Sequence, residues 1–105
     1  GCRALGMTES GDQVGRAELA IVLGHTTTAV VFREVWNIVL IETHESALSM
    51  RATVALPART FLEKSGTFTN SRRHVQKFNA VVEPAFEAWS EADALAQIAA
   101  AAGIS

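Results

Sequence analysis

A chain of 105 residues with 49% apolar side chains is long enough to bury one compact hydrophobic core. Its formal net charge of −2 gives no global electrostatic drive toward nucleic acid, and a single cysteine can form neither an internal disulfide nor an iron–sulfur cluster. The apolar runs at 19–24 and 38–41 are too short to span a bilayer, and residues 1–14 hold no apolar stretch of signal-peptide length, so a soluble chain with no direct membrane insertion is expected, cytoplasmic by default.

Residues 1–16 are rich in Gly, Ser and charge and hold one apolar cluster, Ala4-Leu5-Gly6-Met7, which reads as the tail of an upstream helix. This segment is expected to be loosely held, with the folded domain at 17–105. The start at Gly1-Cys2-Arg3 rather than Met reads as a piece of a larger polypeptide. Leu19-Ala20-Ile21-Val22-Leu23 is a continuous apolar run closed by Gly24, the pattern of a strand buried on both faces. Thr26 or Thr27 can cap a helix running through 32–35, although Val30 and Val31 lower its propensity. Residues 37–42 read as a second buried strand and 53–56 as a third, with 46–51 a short crossover turn or helix.

Strands alternating with helical connections predict a three-layer α/β fold, a mainly parallel sheet with flanking helices. Pro57 ends the third strand because it has no N–H for a ladder. Residues 67–69 and 74–78 are expected to pair as a hairpin around Asn70-Ser71. Pro84 opens a linker that ends at Trp89, and Ser90 caps the last helix with Asp93 at the capping-box position. Leu95, Ile98, Ala99 and Ala102 form one buried stripe, which Gly103 stops. The small residues at 99–102 suit either a partner helix or plain core.

The densest chemistry follows Leu56, beyond the carboxyl end of a parallel strand, where ligands of such sheets sit. Gly66 gives access to positive φ and lets another surface come close, while Thr67, Thr69 and Asn70 either offer donors and acceptors to a ligand or satisfy their own turn. Glu63 is expected to receive a bond from Arg59 or from an arginine of the basic strand, since adjacent Lys64 diverges from it. Arg73 has the fork geometry for phosphate or carboxylate, and Arg72, Arg73, His74 and Lys77 together either face an anion or line a solvated strand edge. Val75 and Phe78 read as core contacts. Cys2, His25, His44 and His74 lack ligand-type spacing, so no metal site is expected, and no Ser-His-Asp, Cys-His or paired-carboxylate set suggests independent catalysis.

The pattern LP-x(5)-EK-x-GT-x-TN-x(5)-Q, from Leu56-Pro57 through Glu63-Lys64, Gly66-Thr67 and Thr69-Asn70 to Gln76, resembles a segment of the molybdopterin oxidoreductase family. That family includes formate dehydrogenases, nitrate reductases and the large iron–sulfur subunit of NADH-quinone oxidoreductase, respiratory complex I. The resemblance extends over about 19–103, with the central block its distinctive part. Ala52-Thr53-Val54-Ala55-Leu56-Pro57 after Thr43-His44-Glu45-Ser46, and Gln76-Lys77-Phe78-Asn79 after the loop, tilt it toward complex I. Thr53 stands where catalytic relatives usually carry Asp, and His74 where relatives often carry Arg, which weakens a phosphate-binding role at that position.

The resemblance implies that the chain is the C-terminal part of a larger molybdopterin-oxidoreductase-like domain, a scaffold in respiratory electron transfer with no activity by itself. The alternative it implies is a fragment of a catalytic molybdenum or tungsten bis-pterin enzyme such as formate dehydrogenase, and a further one is an independent α/β interaction module. Cofactor-facing residues would be Gly66, Thr67, Thr69, Asn70, Arg73 and Gln76, with no catalytic residue and no metal ligand. The parent would carry iron–sulfur clusters in other modules and, in the catalytic branch, molybdopterin guanine dinucleotide. Its partners would be the remainder of the polypeptide and other respiratory-complex subunits, with no nucleic acid, at a location peripheral to the inner membrane.

Overall fold

Apolar runs separated by connections long enough to cross back over a sheet pair in parallel, because a tight hairpin cannot join parallel strands. The computed structural model, which describes residues 6, 16–24 and 32–104, follows this rule. Strands β1 (Leu19–Leu23), β2 (Asn37–Glu42) and β3 (Val54–Pro57) form a parallel sheet in the order β1-β2-β3. Helix α1 (Ala47–Arg51) bridges β2 to β3, an antiparallel hairpin of β4 (Gly66–Thr69) and β5 (Val75–Phe78) follows, and α2 (Glu91–Ala101) closes the chain.

Register assigns side chains to layers. Ala20 lies beside Ile38, and Val22 beside Leu40, and this face packs against Val35, Leu48, Phe32 and Ala52. Ile41 beside Leu56 belongs to the opposite face, which packs against Ala58, Ala94, Leu95 and Ile98. Leu48 of α1 and Ala94 of α2 therefore lie on opposite sides of one sheet, the expected three layers. Ile38, Leu40, Ile41 and Leu48 are each at most 1% exposed, and burying a side chain of that size contributes roughly 1.5–3 kcal/mol.

The first strand departs from the expectation of burial on both faces. Ala20 and Val22 are half-buried, but Leu19, Ile21 and Leu23 are exposed. The cause is the position of α2, which packs over Ile41 and Leu56 and so covers β2 and β3 rather than β1.

Most of the helix expected between the first two strands lies outside the described residues. Its described end, Phe32 to Glu34, is a turn closed by Val35 N–H to Phe32 O at 3.0 Å. Arg51, in the last turn of α1, gathers the carbonyls of this segment, donating to Phe32 O, to Arg33 O at 3.0 Å and to Val35 O at 2.7 Å. A guanidinium fork thus satisfies acceptors that a helix would have paired internally. The segment expected to be loosely held, 1–16, lies outside the described residues apart from Gly6 and Arg16.

Both helices start on serine. Ser46 Oγ accepts from Ser49 N–H at 3.3 Å, and Ser49 Oγ accepts from Ser46 N–H at 2.9 Å, a reciprocal box that lets five residues hold a helical turn. Ser90 Oγ accepts from Asp93 N–H at 3.2 Å and donates to its carboxylate at 2.6 Å. Gly103, at φ 76°, closes α2 with Ile104 N–H to Ala99 O at 2.8 Å and Gly103 N–H to Ala100 O at 3.1 Å, the paired bonds of a left-handed helix stop. The buried stripe is rotated from the expected one: Ala94 is buried, Leu95, Ile98 and Ala99 are half-buried, and Ala102 is exposed.

Pro57 ends β3, and the chain then makes one more sheet contact than its sequence suggests. Ala58 bridges in parallel to Trp89, with Arg59 N–H to Trp89 O at 2.9 Å. The 84–89 linker therefore returns to the outer edge of β3 and hands the chain to α2.

Candidate functional site

The hairpin is shaped by one glycine and one asparagine. Gly66 pairs with Phe78, and a Cβ built on Gly66 would lie 3.0 Å from Phe78 Cζ. The residue is needed for close approach rather than for a positive φ, and the surface that approaches is the chain's own ring. Phe78 in turn stacks on Phe68, with centroids 4.8 Å apart and planes inclined by 22°.

Asn70 builds the turn. Its N–H donates to His74 O at 2.9 Å, its carbonyl accepts from Arg73 N–H at 2.9 Å, and its Oδ1 accepts from Arg72 N–H at 2.9 Å and His74 N–H at 3.0 Å. The asparagine side chain thereby replaces a backbone acceptor inside the turn. Arg73 sits at φ 64°, a left-handed conformation that costs a non-glycine residue roughly 1–2 kcal/mol.

Antiparallel register sorts the six residues singled out by sequence. Thr67 opposes Lys77 and Thr69 opposes Val75 on one face; Gly66 opposes Phe78 and Phe68 opposes Gln76 on the other. Thr67 and Thr69 thus come together, Gln76 faces the opposite way, Asn70 is engaged in its turn with Nδ2 3.4 Å from Gln76 Oε1, and Arg73 stands exposed at the tip. Val75, expected in the core, is exposed because it shares the open threonine face, whereas Phe78 is half-buried over Gly66.

The base of the hairpin is anchored by polar contacts. Lys64 Nζ lies 2.6 Å and 2.8 Å from the two carboxylate oxygens of Glu91, in the first turn of α2. Ser65 Oγ accepts from Ala80 N–H at 3.0 Å, and Leu62 O accepts from Val81 N–H at 2.9 Å and Val82 N–H at 3.1 Å. Glu63 does not take its hydrogen bond from Arg59. Its carboxylate accepts from Thr60 N–H at 2.9 Å, while Arg59 Nε donates to Ala88 O at 2.8 Å. The Thr60 backbone bond, helped by the Thr60 hydroxyl, the Ala85 backbone and the Arg59 charge, holds the Glu63 carboxyl below its ordinary value against an opposing desolvation effect.

Two clefts flank these elements. One, of about 350 Å³, lies at the arm's base against Lys64, Gly66, Thr67, Phe78, Ser90 and Glu91. The other, of about 360 Å³, opens at the carboxyl ends of β2 and β3, lined by Glu42, His44, Glu45, Ser49, Pro57 and Phe86 among others. Glu42 is 6% exposed at the end of β2 and accepts from Ser46 Oγ at 2.8 Å. The sequence reading did not single it out, although a charge closing an apolar strand run at 37–42 was the available signal. Among the described residues no three His, Cys, Asp or Glu side chains gather to hold a metal ion, and no helix is long and apolar enough to cross a membrane. Cys2 and His25 lie outside the described residues.

A strand ending in Leu-Pro, an anchored Glu-Lys and a Gly-Thr-x-Thr-Asn hairpin follow one another along the chain, and the family model for molybdopterin oxidoreductase matches residues 16–101 of the chain. The chain belongs to the molybdopterin oxidoreductase family. No curated protein matches it. A molybdopterin oxidoreductase domain points to an oxidoreductase-related role. The residues here fit a molybdopterin in part. Exposed Thr67, Thr69 and Lys77 leave donors open on one face for phosphate or pterin oxygens, whereas Asn70 Oδ1 is engaged and Gln76 faces away, so the six do not line one cradle.

Proposed function

We propose that this chain is part of the molybdopterin-oxidoreductase-like domain of a NADH-quinone oxidoreductase large iron–sulfur subunit, where it serves as scaffold for electron transfer carried by clusters elsewhere. The observation that carries the reading is how the polar groups of the family block are used. Asn70 holds its own turn, and Thr53 Oγ1 accepts from Ile38 N–H at 3.2 Å and lies 3.4 Å from Trp36 O, tying the start of β2 to the start of β3. Both positions serve local architecture. The partners would be the remainder of the polypeptide and other respiratory subunits, at a cytoplasmic site peripheral to the inner membrane. The test is to isolate the natural assembly that contains this chain and measure NADH-dependent quinone reduction. Activity that co-purifies with it supports the proposal, and its absence from an intact assembly overturns it.

The catalytic reading has its own support in the open Thr67, Thr69 and Lys77 face and in the cleft beside Lys64 and Gly66. In a formate-dehydrogenase-like enzyme this face would bind the pterin dinucleotide tail, and the metal and its pterin ligands would supply the redox chemistry. Substitution of both threonines by valine would then lower pterin content in the purified parent, and unchanged content would exclude the contact.

A further inference from the structure

Every residue of β1 is apolar, and the directions of its backbone groups follow from one bond. Gly24 N–H donates to Ile41 O at 2.9 Å, and these directions alternate along a strand, so Val22 and Ala20 also turn their N–H and C=O groups toward β2. Leu19, Ile21 and Leu23 turn theirs outward, to an edge where no described strand pairs. The same three side chains stand on the α2 face of the sheet, 54%, 39% and 47% exposed, because α2 packs over Ile41 and Leu56 instead. A cleft of about 390 Å³ follows this edge, lined by Ala20, Val22 and Phe32 of one face and by Ile21 and Leu23 of the other.

The two edges of the sheet are unlike. On the β3 side Pro57 has no N–H, and Trp89 closes the carboxyl end, with Arg59 N–H donating to Trp89 O at 2.9 Å. On the β1 side the strand carries no charge, proline or bulge, the devices that keep a free edge from pairing. An unpaired row of backbone donors and acceptors is the recognition chemistry of another β-strand, and a parallel sheet needs both faces covered. Handedness places the cover. The described parts of the β1–β2 and β2–β3 connections step one way across the sheet and lie on the face of Phe32, Val35 and Leu48. A right-handed connection that leaves a strand beyond β1 and steps the other way lies on the opposite face, the side of Leu19, Ile21 and Leu23.

We propose that β1 is an interior strand of the natural polypeptide. A strand-and-helix unit from outside residues 1–105 pairs its strand with the outward N–H and C=O groups of Leu19, Ile21 and Leu23, and lays an apolar helix over their side chains. The inference rests on the reading of this chain as part of a larger domain and not on the respiratory role, so a failure of NADH-dependent quinone reduction would leave it standing.

Hydrogen exchange of the full natural polypeptide, resolved to single amides, tests the edge without any substitution. Val22 is the internal reference, because its N–H is bonded to β2 whether or not the edge is covered. The Ile21 and Leu23 amides are expected to exchange within about 10-fold of Val22. Faster exchange at Ile21 and Leu23 than that, or exchange of all three at the rate of an unfolded chain, would overturn the proposal. A photocrosslinking benzoylphenylalanine in place of Ile21, in the same polypeptide, then reports what covers the face, with circular dichroism establishing that the variant is folded. The crosslink is expected within one polypeptide, to a segment outside 1–105. A crosslink to another subunit, one confined to residues 1–105, or none at all in the folded variant would each overturn the proposal.

Discussion

Replacing Gly66 by alanine probes the contact that shapes the hairpin. The new Cβ would start 3.0 Å from Phe78 Cζ and 3.1 Å from Cε1, closer than carbon atoms rest, so the far end of the ring must give by a few tenths of an ångström. Phe78 is stacked on Phe68, and both rings must tilt together. Overpacking of this size costs about 1–3 kcal/mol. Opposing it, a strand glycine without positive φ gives back roughly 0.5–1 kcal/mol when changed to alanine, through the lost freedom of the unfolded chain. The net expectation is a destabilisation of about 1 kcal/mol in the native background. With Phe78→Ala already present, the same Gly66→Ala change should stabilise by about 0.5–1 kcal/mol, a reversal of sign and a coupling of about 1.5–2 kcal/mol. Hydrogen exchange of the β4–β5 amides reports the local stability. Equal effects of Gly66→Ala in both backgrounds would refute the argument that the Phe78 ring is what requires glycine.

Other substitutions test other layers. Ser46→Ala removes the cap of α1 and a donor to the buried Glu42 carboxylate, for an expected loss of about 2–4 kcal/mol in urea titration, and a loss below about 0.5 kcal/mol would show that neither bond matters. Leu48→Ala, at a site 1% exposed, should cost about 2–5 kcal/mol in the same assay and should lower protection of β2 amides before those of the hairpin. Glu63 has a folded-state pKa below its unfolded value, so its carboxylate stabilises the fold above the ordinary carboxylate range and loses that contribution as pH falls through the depressed value. The stability gap between the native chain and Glu63→Gln should therefore narrow on acidification, and a constant gap from neutral to acid pH would contradict the Thr60 bond as its cause.

What could be read from the residues alone follows the range of the interactions involved. The three strands, the Pro57 stop, the hairpin turn at Asn70, the Ser90 cap and the Gly103 stop were legible because each depends on neighbours within a few positions. The Arg51 clamp on carbonyls near Val35, the Lys64–Glu91 pair and the Trp89 bridge to Ala58 join residues 16 to 31 positions apart, and no local period encodes them. Glu63 illustrates the competition directly. A charge partner four residues away was a reasonable expectation, but the Thr60 N–H, three residues away and needing an acceptor at the turn, was available without the loss of two long side chains' freedom. The candidate site divided for a similar reason. Thr67, Thr69 and Gln76 are close in sequence, yet a period of two in each strand and the pairing of Phe68 with Gln76 set Gln76 on the face opposite the threonines.

The direct test of the scaffold account is the molybdenum, tungsten, iron and pterin content of the full natural polypeptide that contains this chain, purified without reconstitution. The account predicts iron without stoichiometric molybdenum, tungsten or pterin. Near-stoichiometric pterin with either metal would contradict it and move the Thr67–Thr69 face to a cofactor-binding role.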